Sequence, residues 1–450
     1  MNGTTAPAHP ARGVLPVLGA LYLVAYIGFS FFCLTLGTIL LTRGVSMGTV
    51  ALVNLLGLVY AARFLAAPLV DRVRPSRAGR YRGVLISTQL ALVAILLALA
   101  PLDPVGDLPW VLVLTVLVML VSMVHDTALA GFTVRLVPPG AYGTANGVQM
   151  AAASLSILIG SSGALLLYAH AGWTAALVCL ALVYAVPLAV LARVAEPAAP
   201  GTPDAPGAPA GDSGFRALLD YLRRPRTRWW ALAVIPAFAA GGWLVSGPQS
   251  AMLLEAGWPT DRIALVQSVG YGVQTVAALV TGAALTRFGV SRCAPVLAVA
   301  GTVGTAALLP PALGHAPLGP TALVLIATGV VYGAKVTLIS AVSMRLARPG
   351  SAAGDYTLPL CVEGVFITAV NAAGLALAAR AGFVWPVLLA VVVAAAALLV
   401  PGWLRRNLAP GEDGPEPRAV AGTVPCAGRR APLRAGRPVS PRHSHRSRRS

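Results

Sequence analysis

The amino-acid sequence predicts an all-α membrane protein of twelve transmembrane helices, arranged as two six-helix bundles related by a pseudo-twofold axis. Three observations predict this fold: strongly apolar composition, twelve windows of spanning length, and an internal repeat. The mean hydropathy is +0.77, with 57% hydrophobic and 11% charged residues, which does not suit an ordinary soluble globule. The formal net charge of +18 resembles that of a nucleic-acid binder. The basic residues, however, avoid the apolar windows and gather between and after them, as membrane topology requires, so no nucleic-acid partner is expected.

A helix needs about 20 apolar residues to cross a bilayer. Such windows fall at 14–40, 47–70, 84–100, 109–137, 144–168 and 172–192, and after a break at 229–254, 262–286, 293–311, 319–347, 354–379 and 382–404. The run beginning at Val14 is too long for a signal-peptide core and is expected to remain as the first helix. With the N-terminus in the cytoplasm, 28 of the 33 Lys and Arg residues fall on the cytoplasmic side. Three fall outside (Arg43, Arg262, Arg380) and two within helices (Arg63, Lys335). This asymmetry predicts a multi-pass protein of the cytoplasmic (inner) membrane with both termini cytoplasmic. The five cysteines show no CxxC spacing, so no disulfide or metal site is expected.

The predicted organisation is a cytoplasmic N-terminal segment (1–13), a first bundle (14–195), a cytoplasmic linker (196–228), a second bundle (229–404) and a disordered Arg-rich cytoplasmic tail (405–450). Within the linker, 196–214 is too rich in Pro, Ala and Gly to bury a core, whereas 215–230 is amphipathic, with Arg residues and a Trp pair suited to the membrane interface. The tail is expected to touch anionic lipid.

The two halves align with each other. At an offset of 213, 40-LLTRGVSMGTVALVNLLG-57 lies over 253-LLEAGWPTDRIALVQSVG-270 with seven identities in eighteen; at an offset of 210, 135-RLVPPG-140 lies over 345-RLARPG-350. Two such close offsets point to duplication of a six-helix unit.

The segments 64-FLAAPLVDRV-73, 125-HDTALAGFTVRLVPPGAYGTANGVQ-149 and 354-GDYTLPL-360 resemble the branch of the major facilitator superfamily that holds AmpG-type muropeptide permeases and rhizobactin-type siderophore permeases. The family's helix-four element carries a second acid where this chain has Ala130. The resemblance implies a monomeric secondary transporter that moves a small-molecule substrate by alternating access, with proton-coupled import of a muropeptide-like or siderophore-like compound. Export of a drug or metabolite is the alternative within the class, and a non-transporting receptor or scaffold the alternative outside it.

Ionisable groups in hydrocarbon are costly and face a cavity or a partner. Five lie well inside the windows, away from their ends: Arg63, His125, Asp126, Lys335 and Glu363. The 210 offset carries His125 onto Lys335, which puts the lysine and the His125–Asp126 pair at equal depth. In the family fold, helices one, four, seven and ten line the central cavity, so the resemblance sets Asp126 and Lys335 on either side of the substrate path. Asp126 is then a candidate proton carrier and Lys335 a candidate anion holder, or the two form a structural bridge. Arg63 and Glu363 each lie eight residues inside an end aspartate, Asp71 and Asp355 respectively, about 12 Å deep at 1.5 Å per residue. The family fold packs helix two near helix eleven, so an Arg63–Glu363 pair could form in one access state and break in the other, or stand permanently.

The loop carrying Asp71 and Arg72 resembles the superfamily's G-x-x-x-D-R-x-G signature, with Ala67 in place of the first Gly; 282-GAALTRFG-289 repeats it with Thr286 replacing the acid. Asp71 suits the positive N-terminal end of a neighbouring helix, helix eleven in the family, with Arg135 as a relay partner or a snorkelling interfacial residue. Asn54 and Gln267, equivalent at the 213 offset, either contact substrate or bond between helices. Gly247, Pro248 and Gln249 read as a break exposing backbone toward a cavity. The sequence holds no GxxxxGK[ST], HExxH or GxSxG motif, and neither an enzymatic activity nor a cofactor is expected.

Overall fold

The computed structural model describes residues 14–45, 62–73, 79–191, 215–348 and 351–408, all within one compact unit, Met1–Ala409. The expected N-terminal segment, Asn54, most of window 47–70, the 196–214 stretch and nearly all of the tail lie outside the described residues. The described chain is helical: α1 (Val14–Ser30), α2 (Ala67–Arg72), α3 (Tyr81–Leu99), α4 (Leu108–Leu136), α5 (Tyr142–Ile157), α6 (Ala164–Leu191), α7 (Ile235–Ser246), α8 (Thr260–Phe288), α9 (Val290–Ala306), α10 (Leu318–Leu346), α11 (Ala352–Ala381) and α12 (Val384–Ala396) are joined by short helical pieces and turns.

Among the described residues, ten helices are long and apolar enough to cross a membrane. One of them, Pro139–Ala189, has 51 residues and as a single rod would measure about 76 Å against a hydrocarbon core of about 30 Å. It turns at Gly172, whose φ of 81° is open to glycine without a steric cost. The sequence windows break at this same residue. Many large apolar side chains stay exposed along these helices, among them Leu166, Val186, Val276, Val299 and Val392, as expected of surfaces that face lipid rather than water.

The repeat recurs in the backbone. Left-handed glycines pair at the sequence offsets: Gly44 with Gly257, Gly79 with Gly289, and Gly172 with Gly382, at φ between 80° and 97°. Interhelical contacts repeat as well. Tyr22 Oη and Thr133 Oγ1 lie 2.9 Å apart between α1 and α4. The 210 offset carries Thr133 onto Ser343 of α10, whose hydroxyl accepts a hydrogen bond at 3.0 Å from Trp230 Nε1, just before α7. Gly28 lets α1 approach Tyr184 of α6, and its counterpart at the 213 offset, Gly241, lets α7 approach Ala390 and Ala394 of α12.

At one end, Arg43 pairs with Asp103 at 2.6 Å. The amides of Gly106 and Val105, with Arg43 adding to them, hold the Asp103 carboxyl below its ordinary value. At the opposite end lie Arg72, Arg80, Arg82, Arg135, Arg287, Arg345 and Arg348, hereafter the basic end.

Candidate functional site

At the basic end two hydrogen-bonded contacts between helices repeat each other, and each has the geometry of a latch. In the first, the Gly354 amide in the opening turn of α11 donates to Asp71 Oδ2 at 2.9 Å, and Tyr81 Oη donates to Asp71 Oδ1 at 2.7 Å. A carboxylate at a helix N-terminus satisfies an orphan amide and meets the positive end of the helix dipole. In the second, the Thr144 amide in the opening turn of α5 donates to Thr286 Oγ1 at 2.9 Å. The 210 offset carries Thr144 onto Gly354, and Thr286 is the residue that replaces the acid in the second half. Arg135 stacks over the Tyr81 ring at 4.9 Å and so supports the tyrosine that holds Asp71. Arg72 is exposed beside the latch. Replacing Asp71 by Ala is expected to weaken closure by about 2 kcal/mol, the scale of a hydrogen bond to a charged group, and so to shift the closed-to-open ratio about 30-fold. Spin labels at Val73→Cys and Phe288→Cys should report the longer distances as a new population.

Between the latches, α5 and α8 cross almost in backbone contact. A Cβ on Gly147 would lie 2.6 Å from the Ala278 carbonyl oxygen, and one on Gly282 would lie 2.7 Å from the Gly143 carbonyl oxygen. Gly143 and Gly147 are four residues apart on one face of α5, the small-xxx-small spacing that lets membrane helices approach closely. Asp355, which in the sequence marks the start of α11, is fully buried and accepts from Arg348 Nε at 2.6 Å and Nη2 at 2.7 Å. Arg348 Nη2 also reaches the Ala217 carbonyl at 2.8 Å. The bond to Asp355 raises the already high pKa of Arg348.

Inward of the seal is a central cavity of about 200 Å³ whose walls include Tyr26, Arg63, Gln149, Tyr332, Ser340 and Glu363. Arg63 Nη1 donates to Asp126 Oδ2 at 2.7 Å, with side-chain exposures of 19% and 8%, so this ion pair is screened little by water. Glu363 is 5% exposed, and its buried Oε1 has no hydrogen-bond partner among the described residues. A polar network then crosses from α1 to α11: Gln149 Nε2 donates to Tyr26 Oη at 3.1 Å, while Tyr356 Oη lies 2.8 Å from Gln149 Oε1 and 3.2 Å from Asn146 Oδ1. Asn146 and Tyr356 are themselves equivalent at the 210 offset.

Several expectations require correction. In this conformation the cation beside Asp126 is Arg63, not Lys335. Lys335 turns into its own half, donating to the Phe238 carbonyl at 3.0 Å and lying 4.8 Å above the Phe238 ring. The space it occupies exists because position 301 is glycine; a Cβ there would collide with the ammonium group. His125 likewise turns inward, its Nδ1 3.0 Å from Thr88 Oγ1 on α3. The 213 offset carries Thr88 onto Gly301, so the His125–Thr88 and Lys335–Gly301 contacts are copies of each other. The sequence repeat relates the two positions; the side of the helix each residue faces was not legible in it. Arg63 pairs here with Asp126; the Arg63–Glu363 pair was expected from sequence to form in one access state and break in the other, or to stand permanently. Gln249 and Gln267 join neither latch nor central cavity. They line a second cavity of about 290 Å³ between α7, α8 and α10, which shares Tyr332 with the first.

Sequence reasoning passed over Tyr26, Asn146, Gln149 and Tyr356. The available signal was the pair of carboxamides three residues apart on α5, which share one helix face.

The architecture has counterparts of known structure. The human organic anion transporter MFSD10 aligns with a TM-score of 0.69 at 14% identity, covering 87% of this chain and all of that one. The Escherichia coli fucose:proton symporter aligns at 0.64 and 14%, covering 87% and 99%. The family model of the Major Facilitator Superfamily matches residues 18–358. The chain belongs to that superfamily. It is therefore a multi-pass membrane protein of a transporter family. Among curated sequences it is 29% identical over 143 residues to the anhydromuropeptide permease of Escherichia coli (strain K12), 31% of this chain and 29% of the relative. It is 26% identical over 129 residues to the putative transporter AmpG 1 of Rickettsia prowazekii (strain Madrid E), 28% and 29% respectively. The matches thus span under a third of the length of these curated relatives.

Proposed function

We propose that this superfamily member is a secondary active transporter that imports a muropeptide-like solute with a proton, by alternating access of two six-helix halves. The turn at Gly172 divides Pro139–Ala189 into two crossings, and window 47–70 adds one more, which brings the ten candidates to twelve. The excess of Arg at the latched end orients that end to the cytoplasm, so the described conformation is closed to the cytoplasm. Muropeptide is the preferred class because the curated relatives include an anhydromuropeptide permease.

The observation that carries the coupling is a trio beside the central cavity: one guanidinium, Arg63, on the cavity wall and paired with the buried Asp126, and a second carboxyl, Glu363, on the same wall with an unpartnered oxygen among the described residues. In a medium where unpaired charge is expensive, one cation and two carboxyls balance when one proton is bound. With Arg63 on Asp126, the proton sits on Glu363. When Asp126 takes the proton, Arg63 is released to Glu363, which is the pair expected from sequence for one access state. Tyr26 and Tyr332 face the same cavity. Arg63 belongs to the segment leading into α2 and Glu363 to α11, the two elements tied at the first latch, so its partner exchange pulls on the gate.

Uptake into proteoliposomes of labelled anhydromuropeptide, a ferric siderophore and a lipophilic cationic drug, each with an inward proton gradient, tests this reading. Gradient-driven accumulation of the anhydromuropeptide is the expected outcome. Accumulation of only the siderophore or only the drug would replace the proposed substrate, and movement of none would remove the carrier reading.

A further inference from the structure

The second cavity differs from the central one in kind. Among its described lining residues none is Asp, Glu, Lys, Arg or His, so it offers no counter-charge to a cation or an anion. It does offer carboxamides from Gln249 and Gln267 and aromatic faces from Trp243, Tyr271 and Tyr332, while the Gln274 amide is engaged at both ends by Gly329 and Ser154. Gln267 Nε2 donates to Ser250 at 3.3 Å and Gln274 Nε2 to the Gly329 carbonyl at 3.1 Å, which fixes the direction of those amides. Trp243 meets Tyr332 edge to face, with centroids 4.8 Å apart and planes at 86°, so the indole is held in place by the residue that divides the two cavities.

A carboxamide both donates and accepts, and an aromatic face takes C–H groups without demanding charge. The ligand that matches this pair of features is ring-shaped, uncharged and dense in hydroxyl or acetamido groups. At about 290 Å³ the cavity stands at the lower edge of the ~300–1,000 Å³ that small-molecule sites occupy. We infer that the α7–α8–α10 cavity is a separate subsite for an uncharged saccharide ring, while the Arg63–Glu363 cavity next to it receives the charged portion of the same ligand. This rests on the muropeptide reading, since a muropeptide joins a sugar to a peptide. Tyr332, common to both walls, marks the junction.

The test is competition for binding to purified full-length protein, with N,N′-diacetylchitobiose and the free peptide portion of the anhydromuropeptide as separate competitors. Trp243→Ala and Gln267→Leu are each expected to weaken chitobiose competition about tenfold, the scale of one lost aromatic or hydrogen-bonding contact. Competition by the peptide should stay within about twofold of wild type in both, a margin inside the scatter of surface-level effects. Trp243→Phe should restore most of the chitobiose effect, which separates loss of the aromatic face from loss of folding. Equal weakening of both competitors, or unchanged chitobiose competition in both variants, would overturn the subsite. The wild type also separates the two proposals. Chitobiose binding without anhydromuropeptide binding keeps the subsite and removes the muropeptide reading; anhydromuropeptide binding that chitobiose does not affect does the reverse; binding of neither removes both.

Discussion

Gly147→Leu is expected to hold the basic end open and to stop net transport while each half stays folded. At this position the neighbours are backbone atoms: the Ala278 carbonyl oxygen at 2.6 Å and Gly282 Cα at 2.8 Å from a Cβ. No side chain can swing away to make room, so α5 and α8 must separate. Inserting bulk into a closed contact costs about 1–3 kcal/mol, and against backbone the upper end applies. That is about a 100-fold shift from closed to open. Labels at Val73→Cys and Phe288→Cys should show mainly the long distance. Gly147→Ala, with a single methyl, should show a smaller shift in the same direction. An unchanged distance distribution in Gly147→Leu would mean that the α5–α8 crossing is not the seal.

Arg63→Ala carries the second large effect. It takes from one buried cavity the guanidinium that balances the carboxyls of Asp126 and Glu363, and breaking a buried pair by removing one partner costs about 3–5 kcal/mol. With Arg63 19% exposed at its side chain, the lower end of that range is expected in thermal or denaturant unfolding. Arg63→Ala combined with Asp126→Asn should be more stable than Arg63→Ala alone, because the second change removes the charge that the first stranded. Arg63→Lys should rescue only in part, since an ammonium lacks the planar fork that two acceptors can share. Additive losses in the double variant would show that the two residues do not act as a pair.

The fold was largely legible because the bilayer imposes a length and a polarity on each crossing, and both are written in runs of residues. The break at Gly172 was visible as the gap between two such runs. The placement of Asp71 at the start of α11 followed from the family resemblance together with electrostatics, because a carboxylate at the foot of one helix has few stabilising partners besides another helix N-terminus. The repeat was legible too, and it extended further than the residue matches suggested: Thr286 occupies the place of Asp71 with a hydroxyl that accepts the Thr144 amide, although the residue type differs.

The facing of individual side chains was not legible. A long membrane helix that is apolar all round carries almost no amphipathic signal to set its rotation, so Lys335 and His125 could be assigned a depth but not a direction. Their direction depends on a glycine and a threonine on other helices, Gly301 and Thr88, far away in sequence. Arg63 poses a similar problem. Two acids, Asp126 and Glu363, compete for it from different helices, and a preference between them is a property of the packed bundle that no single sequence window contains. The Tyr26–Gln149–Tyr356–Asn146 network was hidden because each member alone resembles ordinary interhelical polar contact.

The most direct test of the coupling scheme compares wild type and Asp126→Asn in proteoliposomes, measuring anhydromuropeptide exchange at equal pH and accumulation under an inward proton gradient. The variant is expected to keep exchange, because Arg63 can still pair with Glu363, but to lose gradient-driven accumulation, because the site no longer alternates between two carboxyls. Accumulation by Asp126→Asn equal to wild type would contradict proton exchange between Asp126 and Glu363 as the coupling step.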